Sequence, residues 1–343
     1  MTTTQLGNIS ARCMIARLSI SAWSARKLDR TASAKTTTEA NAQADAARVN
    51  KFLLAGNDAQ LKTINTIATQ ARQDFYALTA PWTDNGDRIL TADAWRTLNA
   101  RLQAHSLAYA QAVDTFVAGD YAEARAKAAQ ALGALFDPAD FPAPFMVRRR
   151  FGFDFSFDSL PTSADFRVDL ADADAQMIRE DIQRRTETRM ADAVRHVWSR
   201  LAESLQHVAD TMQRLETGEQ KRLFDSVLGN VREIAQQLPA LNLTNDPNMN
   251  AMSARVLAEL GPISTESLKT DSGLRRHTQQ TATGLAAAIA ALTSPAPFTA
   301  EELADSQALA DAHDHELTTP EPAQAVPREQ PWTLFTDPVR GVA

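Results

Sequence analysis

The amino-acid sequence predicts a mainly α-helical protein, a bundle of long helices with a small antiparallel β-sheet or hairpin and a disordered C-terminal tail. Most of the 343 residues lie in stretches rich in Ala, Gln, Arg, Glu and Leu and poor in Gly, a composition that favours helices. A few short segments instead alternate apolar and polar residues, which is typical of strands. Because the chain is acidic and proline-rich from residue 294 onward, we expect one helical domain over 1–293 and a flexible tail over 294–343.

The period-two pattern of strands occurs near residues 14–22, 151–157 and 165–170. In the first segment the apolar residues from Met14 to Ala22 share one face, and in the second every other residue from Phe151 to Phe157 is a phenylalanine. The third segment, DFRVDL, follows turn-forming residues and is expected to pair back as a hairpin. Together the three segments predict one small antiparallel sheet.

The helical segments are separated by turn-forming residues. They are expected at about residues 37–55, 59–78, 92–117, 121–135, 173–215, 219–238, 250–259 and 273–292.

The longest predicted helix carries a seam of apolar residues spaced alternately by four and three positions. The seam consists of Val194, Trp198, Leu201, Leu205, Val208, Met212 and Leu215. Two interpretations fit it: packing against another helix of the same chain, or a coiled coil between copies in a homo-oligomer. The first is favoured because the chain has several other helices to cover the seam.

The charge of the chain is concentrated in its last 44 residues. The formal net charge is −7, and residues 300–343 alone hold nine acidic and two basic residues, so the preceding body is neutral. A neutral body gives no global electrostatic reason to expect nucleic-acid binding. The single cysteine, Cys13, excludes an internal disulfide framework and indicates a reducing compartment, which favours the cytoplasm. The apolar runs are too short to predict a membrane span.

Motifs for catalysis are missing from the sequence. It contains no phosphate-binding glycine loop, no dinucleotide-binding glycine turn, no serine-nucleophile elbow and no His-Glu-x-x-His pair. We therefore assign no catalytic residues, no metal ligands and no cofactor from the sequence.

The segment PWTDNGDRIL, residues 81–90, is predicted to be a loop between two helices with an Asn-Gly turn. Trp82, Asp84, Asp87 and Arg88 make it a candidate for partner docking, because a Trp with charged neighbours is typical of a small binding hot spot. A tight structural corner explains the same residues. A third interpretation is a hydrolase whose acid and base are Asp84 and Asp87.

Three consecutive arginines, Arg148, Arg149 and Arg150, precede the phenylalanine-rich strand. Basic residues before alternating aromatics partly resemble an RNA-recognition signature, so they are candidates for nucleic-acid binding. An aromatic face that is buried against helices explains the same residues and is the favoured interpretation.

The C-terminal tail contains one cluster of large apolar residues, Trp332, Leu334 and Phe335. Two interpretations are balanced: the cluster folds back onto the body, or it docks as a short linear motif in a groove of a partner.

Several separated motifs resemble a family of bacterial and bacteriophage proteins known as domain of unknown function 3150. They are PWTDNGDRIL (81–90), LGALFDPADFP (132–142), DFRVDL (165–170), LFDSVLGNV (223–231) and LNLTNDP (241–247). The family has no established activity, and its members are often encoded near MoxR-like AAA+ ATPases and von Willebrand A-type proteins. The resemblance implies a non-enzymatic adaptor or assembly protein of a phage or prophage, working with such protein partners in the bacterial host cell.

Overall fold

The structure is a computed structural model that describes residues 11–161, 172–220 and 222–293. These residues are mainly helical with a small antiparallel sheet, as the sequence predicts. The helices are Arg30–Glu39 (α1), Ala59–Ala77 (α2), Ala92–Thr115 (α3), Tyr121–Leu132 (α4), Pro144–Arg148 (α5), Asp172–Glu216 (α6), Ser226–Gln237 (α7), Pro247–Leu260 (α8), Thr265–Thr270 (α9) and Ser272–Thr293 (α10). A π-helical segment, Phe116–Asp120, joins α3 to α4.

The strands are Cys13–Ser21 (β1), Arg26–Asp29 (β2), Val49–Phe52 (β3), Ala80–Pro81 (β4), Arg88–Thr91 (β5) and Gly152–Ser159 (β6). One sheet has the order β4-β5-β1-β6, and β2 pairs with β3 in a separate two-stranded ribbon. The predicted strands near 14–22 and 151–157 are confirmed as β1 and β6, which pair antiparallel with Leu18 opposite Phe155. The predicted strand at 165–170 lies outside the described residues.

The segment 81–90 is a β-hairpin and not the helix-to-helix loop that the sequence predicts. Strand β4 pairs with β5, with Ala80 opposite Ile89, and β5 continues onto β1, with Leu90 opposite Met14. The turn contains Gly86 at φ +94°, a conformation that a side chain would strain. A strand of only two residues has too little alternation to be recognised from its pattern.

The predicted helix at 37–55 is wrong. Helix α1 starts earlier and ends at Glu39, and Asn41 and Asp45 then adopt positive φ angles that a helix does not tolerate. Residues Val49–Phe52 form β3 instead. The predicted helix at 219–238 starts only at Ser226, after Gly218 turns the chain at φ +77°.

The apolar seam of α6 is covered by helices of the same chain. Leu201, Leu205, Val208 and Met212 are fully buried, in a cluster that includes residues of α7, α8 and α10. This arrangement matches the intramolecular interpretation of the seam.

The phenylalanine face of β6 packs against helices α2 and α3. Phe153 lies 5.6 Å from the Tyr109 ring, and Phe157 lies 6.2 Å from the Trp95 ring, both measured between ring centroids. The face therefore contributes to a core.

Candidate partner-docking site

The hairpin between β4 and β5 places its predicted docking residues in different environments. Trp82 is only 7% exposed and belongs to the core around α6, so it is not available to a partner as a docking residue must be. Asp84 lies exposed on the turn.

Asp87 is engaged by a strand of its own sheet. Arg17 of β1 lies 2.6 Å from Oδ1 of Asp87, measured from Nε, and its Nη1 lies 2.5 Å from Oδ2 of Asp158 on β6. The arginine thus links β1 to β6 and to the β4–β5 turn through two carboxylates. An ion-paired Asp87 does not support the interpretation of Asp84 and Asp87 as an acid and base pair, which would require a carboxylate free to exchange a proton.

Arg88 points towards the end of α2. Its Nε donates to Thr79 Oγ1 at 2.6 Å, and its guanidinium lies 4.8 Å from the centre of the Tyr76 ring. The hairpin is consequently a structural corner in which Arg88 retains a partly accessible charge.

A second corner, formed by residues 144–150, exposes apolar and basic side chains together; we call it the 144–150 corner. Helix α5 has Pro144 in its first turn, and Arg150 donates its backbone N–H to Val147 O at 3.0 Å after the helix ends. Phe145 is 66% exposed and Met146 is 47% exposed. Large apolar side chains with this exposure leave about 2 kcal/mol of burial energy each for an interface.

The 144–150 corner is anchored by buried side chains that pack into a core cluster. Val147 is fully buried and Phe151 is nearly so, in a core cluster that also contains Phe141 and Tyr121. The hydroxyl of Tyr121 donates to Pro142 O at 2.7 Å. The corner can therefore present its exposed side chains without ordering a loop first, which lowers the entropic cost of binding.

The three predicted arginines lie on this corner. Nε of Arg148 is 3.0 Å from Oδ1 of Asp114 on α3, so the carboxylate of Asp114 partly neutralises the charge of Arg148. Arg149 and Arg150 are exposed. The sequence therefore identified the charges of the surface, but not its apolar half. The sequence analysis did not single out Phe145 and Met146, because their exposure follows from the burial of Val147 on the same short helix.

A buried charge network fixes the chain just before the corner. The Asp140 side chain is 3% exposed, and its carboxylate contacts the ammonium groups of Lys27 and Lys51. Lys51 also lies 3.3 Å from Oδ2 of Asp29 and donates to Leu135 O at 2.9 Å. Burial alone raises the pKa of Asp140, but the hydrogen bonds from both lysines outweigh burial and lower it. The hydrogen bond to Asp140 in turn raises the pKa of Lys51.

The π-helical segment borders a cavity of about 230 Å³ lined by Asn57, Gln60, Asp120 and Glu123, among others. Oδ2 of Asp120 is enclosed there without a hydrogen-bond partner. The cavity is smaller than most small-molecule sites, and we assign it no ligand. Over the described ranges, no group of three or more His, Cys, Asp and Glu residues could hold a metal ion.

None of the helices in the described part of the chain combines the length and the apolar character that crossing a bilayer requires. The tail residues Trp332, Leu334 and Phe335 lie outside the described residues, so their predicted role stays a prediction.

Comparison of the chain with protein-family models, curated proteins and solved structures gives no match. The resemblance to domain of unknown function 3150 therefore also stays a prediction.

Proposed function

We propose that this protein is a non-enzymatic helical adaptor or assembly protein of a phage or prophage, which binds protein partners in the cytoplasm of the bacterial host. The observation that carries the proposal is the exposure of Phe145 and Met146 beside Arg149 and Arg150 on a rigid corner. Exposed aromatic, Met and Arg side chains are the types enriched in protein interfaces.

The chemistry of the 144–150 corner specifies its partner surface. Two apolar side chains require an apolar pocket, and the neighbouring arginines favour a rim of carboxylates around it. The motif resemblance makes a MoxR-like AAA+ ATPase and a von Willebrand A-type protein the first partners to test.

The proposal is tested by titrating each of these two proteins, taken from the same genome, against wild-type protein and a Phe145→Ala, Met146→Ala double variant. We expect one of them to bind, and the double variant to bind it roughly 30-fold more weakly, because truncating hot-spot residues costs about 2 kcal/mol. Phe224→Ala is the matched control, since Phe224 is 61% exposed at a different place in the sequence and should not change the affinity. Equal affinities of the double variant and the wild type would overturn the docking surface. Failure of both proteins to bind would overturn the assigned partners.

A second candidate function is nucleic-acid binding, which the exposure of Arg149 and Arg150 next to the exposed Phe145 ring favours. Single-stranded nucleic acid is bound by such combinations of arginine and stacking aromatics. Fluorescence anisotropy with a labelled single strand over a salt series tests it. Binding that weakens with salt, with a shallower slope in an Arg149→Ala, Arg150→Ala variant, would favour this function over protein docking.

A further inference from the structure

Two arginines from distant parts of the sequence converge on the C-terminal end of α2. Arg200 of α6 donates from Nη1 to the carbonyl oxygens of Tyr76 and Ala77, both at 3.3 Å. Arg88 of β5 donates from Nη2 to the carbonyl oxygen of Thr79 at 2.9 Å. The last carbonyls of a helix carry partial negative charge and lack partners within the helix, so Arg200 caps α2. Arg88 binds Thr79, just after the helix ends.

These hydrogen bonds leave most of the positive charge of the two arginines unneutralised. All of the acceptors are neutral oxygens, and neither guanidinium lies within 4.0 Å of a carboxylate in the described part of the chain. The carboxylates that act on the cluster from farther away are those of Glu203 and Glu233, whose side chains are exposed. A half-buried cation without an ion pair is unusual, because desolvation of the charge is costly unless an anion compensates it.

Two further side chains complete the surface above the arginines. The ring of Tyr76 lies over the guanidinium of Arg88 at 4.8 Å and is 53% exposed. His196, one helical turn before Arg200 on α6, is half-buried beside both arginines. Within the described ranges, Arg88 Nη1, Arg200 Nη2 and the His196 ring have no hydrogen-bond partner. The cluster therefore keeps several donors available.

Burial acts on the three cationic groups in the same direction. It lowers the pKa of Arg88 to about 10, and it lowers the pKa of Arg200 and of His196, which the neighbouring arginines depress further. Each of these groups would be stabilised in its charged form by an anion placed among them.

We propose that Arg88, His196 and Arg200 form a binding site for a tetrahedral oxyanion, namely a phosphate group. The planar guanidinium donors match phosphate oxygens in geometry, and the combined positive charge matches a dianion. Tyr76 borders the site and provides a surface on which an aromatic group attached to the phosphate can stack. This site is independent of the docking surface at residues 144–150.

Isothermal titration of the full-length protein with inorganic phosphate and with phenyl phosphate, at constant ionic strength in chloride, tests the proposal. We expect phosphate to bind. Phenyl phosphate should bind more tightly than phosphate, because its aromatic group stacks on Tyr76. Because replacing either arginine would also remove hydrogen bonds at the end of α2, the decisive variant is His196→Gln, which leaves those hydrogen bonds intact. It should weaken the binding of sulfate, a tetrahedral anion that is divalent at this pH, about tenfold at pH 5.5, as expected for the loss of one charge-assisted hydrogen bond. Arg195→Gln is the matched control, since Arg195 is exposed on the same helix and pairs with Asp192.

A pH series with sulfate, whose charge is constant between pH 5.5 and 8, adds a readout that a structural role of His196 would not change. The charged or titratable groups around His196 and the two arginines are Arg88, Arg200, Glu203, Glu233 and Tyr76. Wild-type affinity should rise as the pH falls and His196 becomes protonated, and His196→Gln should remove this rise. The proposal would be overturned if titration with phosphate or sulfate released no more heat than titration with chloride. It would also be overturned if His196→Gln and the wild type bound sulfate with equal affinity. Equal binding of phosphate and phenyl phosphate would show that the site recognises the phosphate group alone and would overturn the stacking role of Tyr76.

Discussion

Asp140 shows how one side chain connects three separate parts of the chain. Its carboxylate contacts Lys27 of β2 and Lys51 of β3, while its own backbone lies in the short turn that leads to the 144–150 corner. Removing one partner of a buried ion pair costs more than the pair itself contributes, because the remaining charge stays desolvated. Without Asp140, the buried Lys51 would keep only Asp29 as an anionic partner, whereas the half-exposed Lys27 would be solvated by water.

Asp140→Asn should therefore lower the free energy of unfolding by about 3 kcal/mol at neutral pH. The pKa of Asp140 is lowered in the folded state, so its contribution is present above the unfolded pKa of about 4 and is lost as the pH falls through the folded pKa. Urea unfolding between pH 7 and pH 3 measures both effects. The difference between variant and wild type should shrink as the pH falls, whereas the control Asp154→Asn, at an exposed position of β6, should match the wild type throughout. A difference that stays constant with pH would contradict the assigned charge interaction.

The burial of Trp82 could not be predicted from the sequence. A Trp among charged residues beside an Asn-Gly turn has the composition of a hot spot, and the local sequence cannot distinguish it from a core residue. In the fold, Trp82 belongs to a core cluster that includes Met190 and Val197 of α6, more than one hundred positions away.

Among the elements, α6 was predictable because seven apolar residues at heptad spacing identify both a helix and its buried face. Residues 37–55 were not predictable, because their alanines and leucines favour a helix locally. The left-handed residues Asn41 and Asp45 and the pairing of β3 with β2 override that preference. The strand β1 was recognisable, but its place between β5 and β6 depends on contacts that no local pattern contains.

Leu201→Asp tests whether the α6 seam packs within one chain. Leu201 is fully buried, so a charge there should lower the free energy of unfolding by several kcal/mol, on the order of 4, without changing the molecular mass in solution. Gln206→Asp, on the solvent side of the same helix, is the control and should leave stability nearly unchanged. Thermal unfolding and light scattering measure the two quantities. A wild-type oligomer that becomes a folded monomer in Leu201→Asp would instead indicate an intermolecular coiled coil.

For the whole molecule, the sequence predicted the fold class but only half of the candidate site. Arg148, Arg149 and Arg150 were visible as a charge run, while the exposure of Phe145 and Met146 follows from the packing of Val147, Phe141 and Phe151 beneath them. Since both side chains are exposed, a Phe145→Ala, Met146→Ala variant should keep the wild-type melting temperature within about 2 °C. Differential scanning calorimetry measures it, and a larger decrease would show that the corner is part of the core.

The most direct test of the proposed adaptor function replaces Phe145 with the photo-crosslinking amino acid p-benzoylphenylalanine and irradiates the full-length protein with the MoxR-like ATPase and the von Willebrand A-type protein. The same replacement at Phe224 serves as the control, because that side chain is exposed to a similar extent. We predict a covalent product with one of the two partners from position 145 and none from position 224. A product from position 224 alone, or no product from position 145 with either partner, would contradict the proposal that the 144–150 corner docks these proteins.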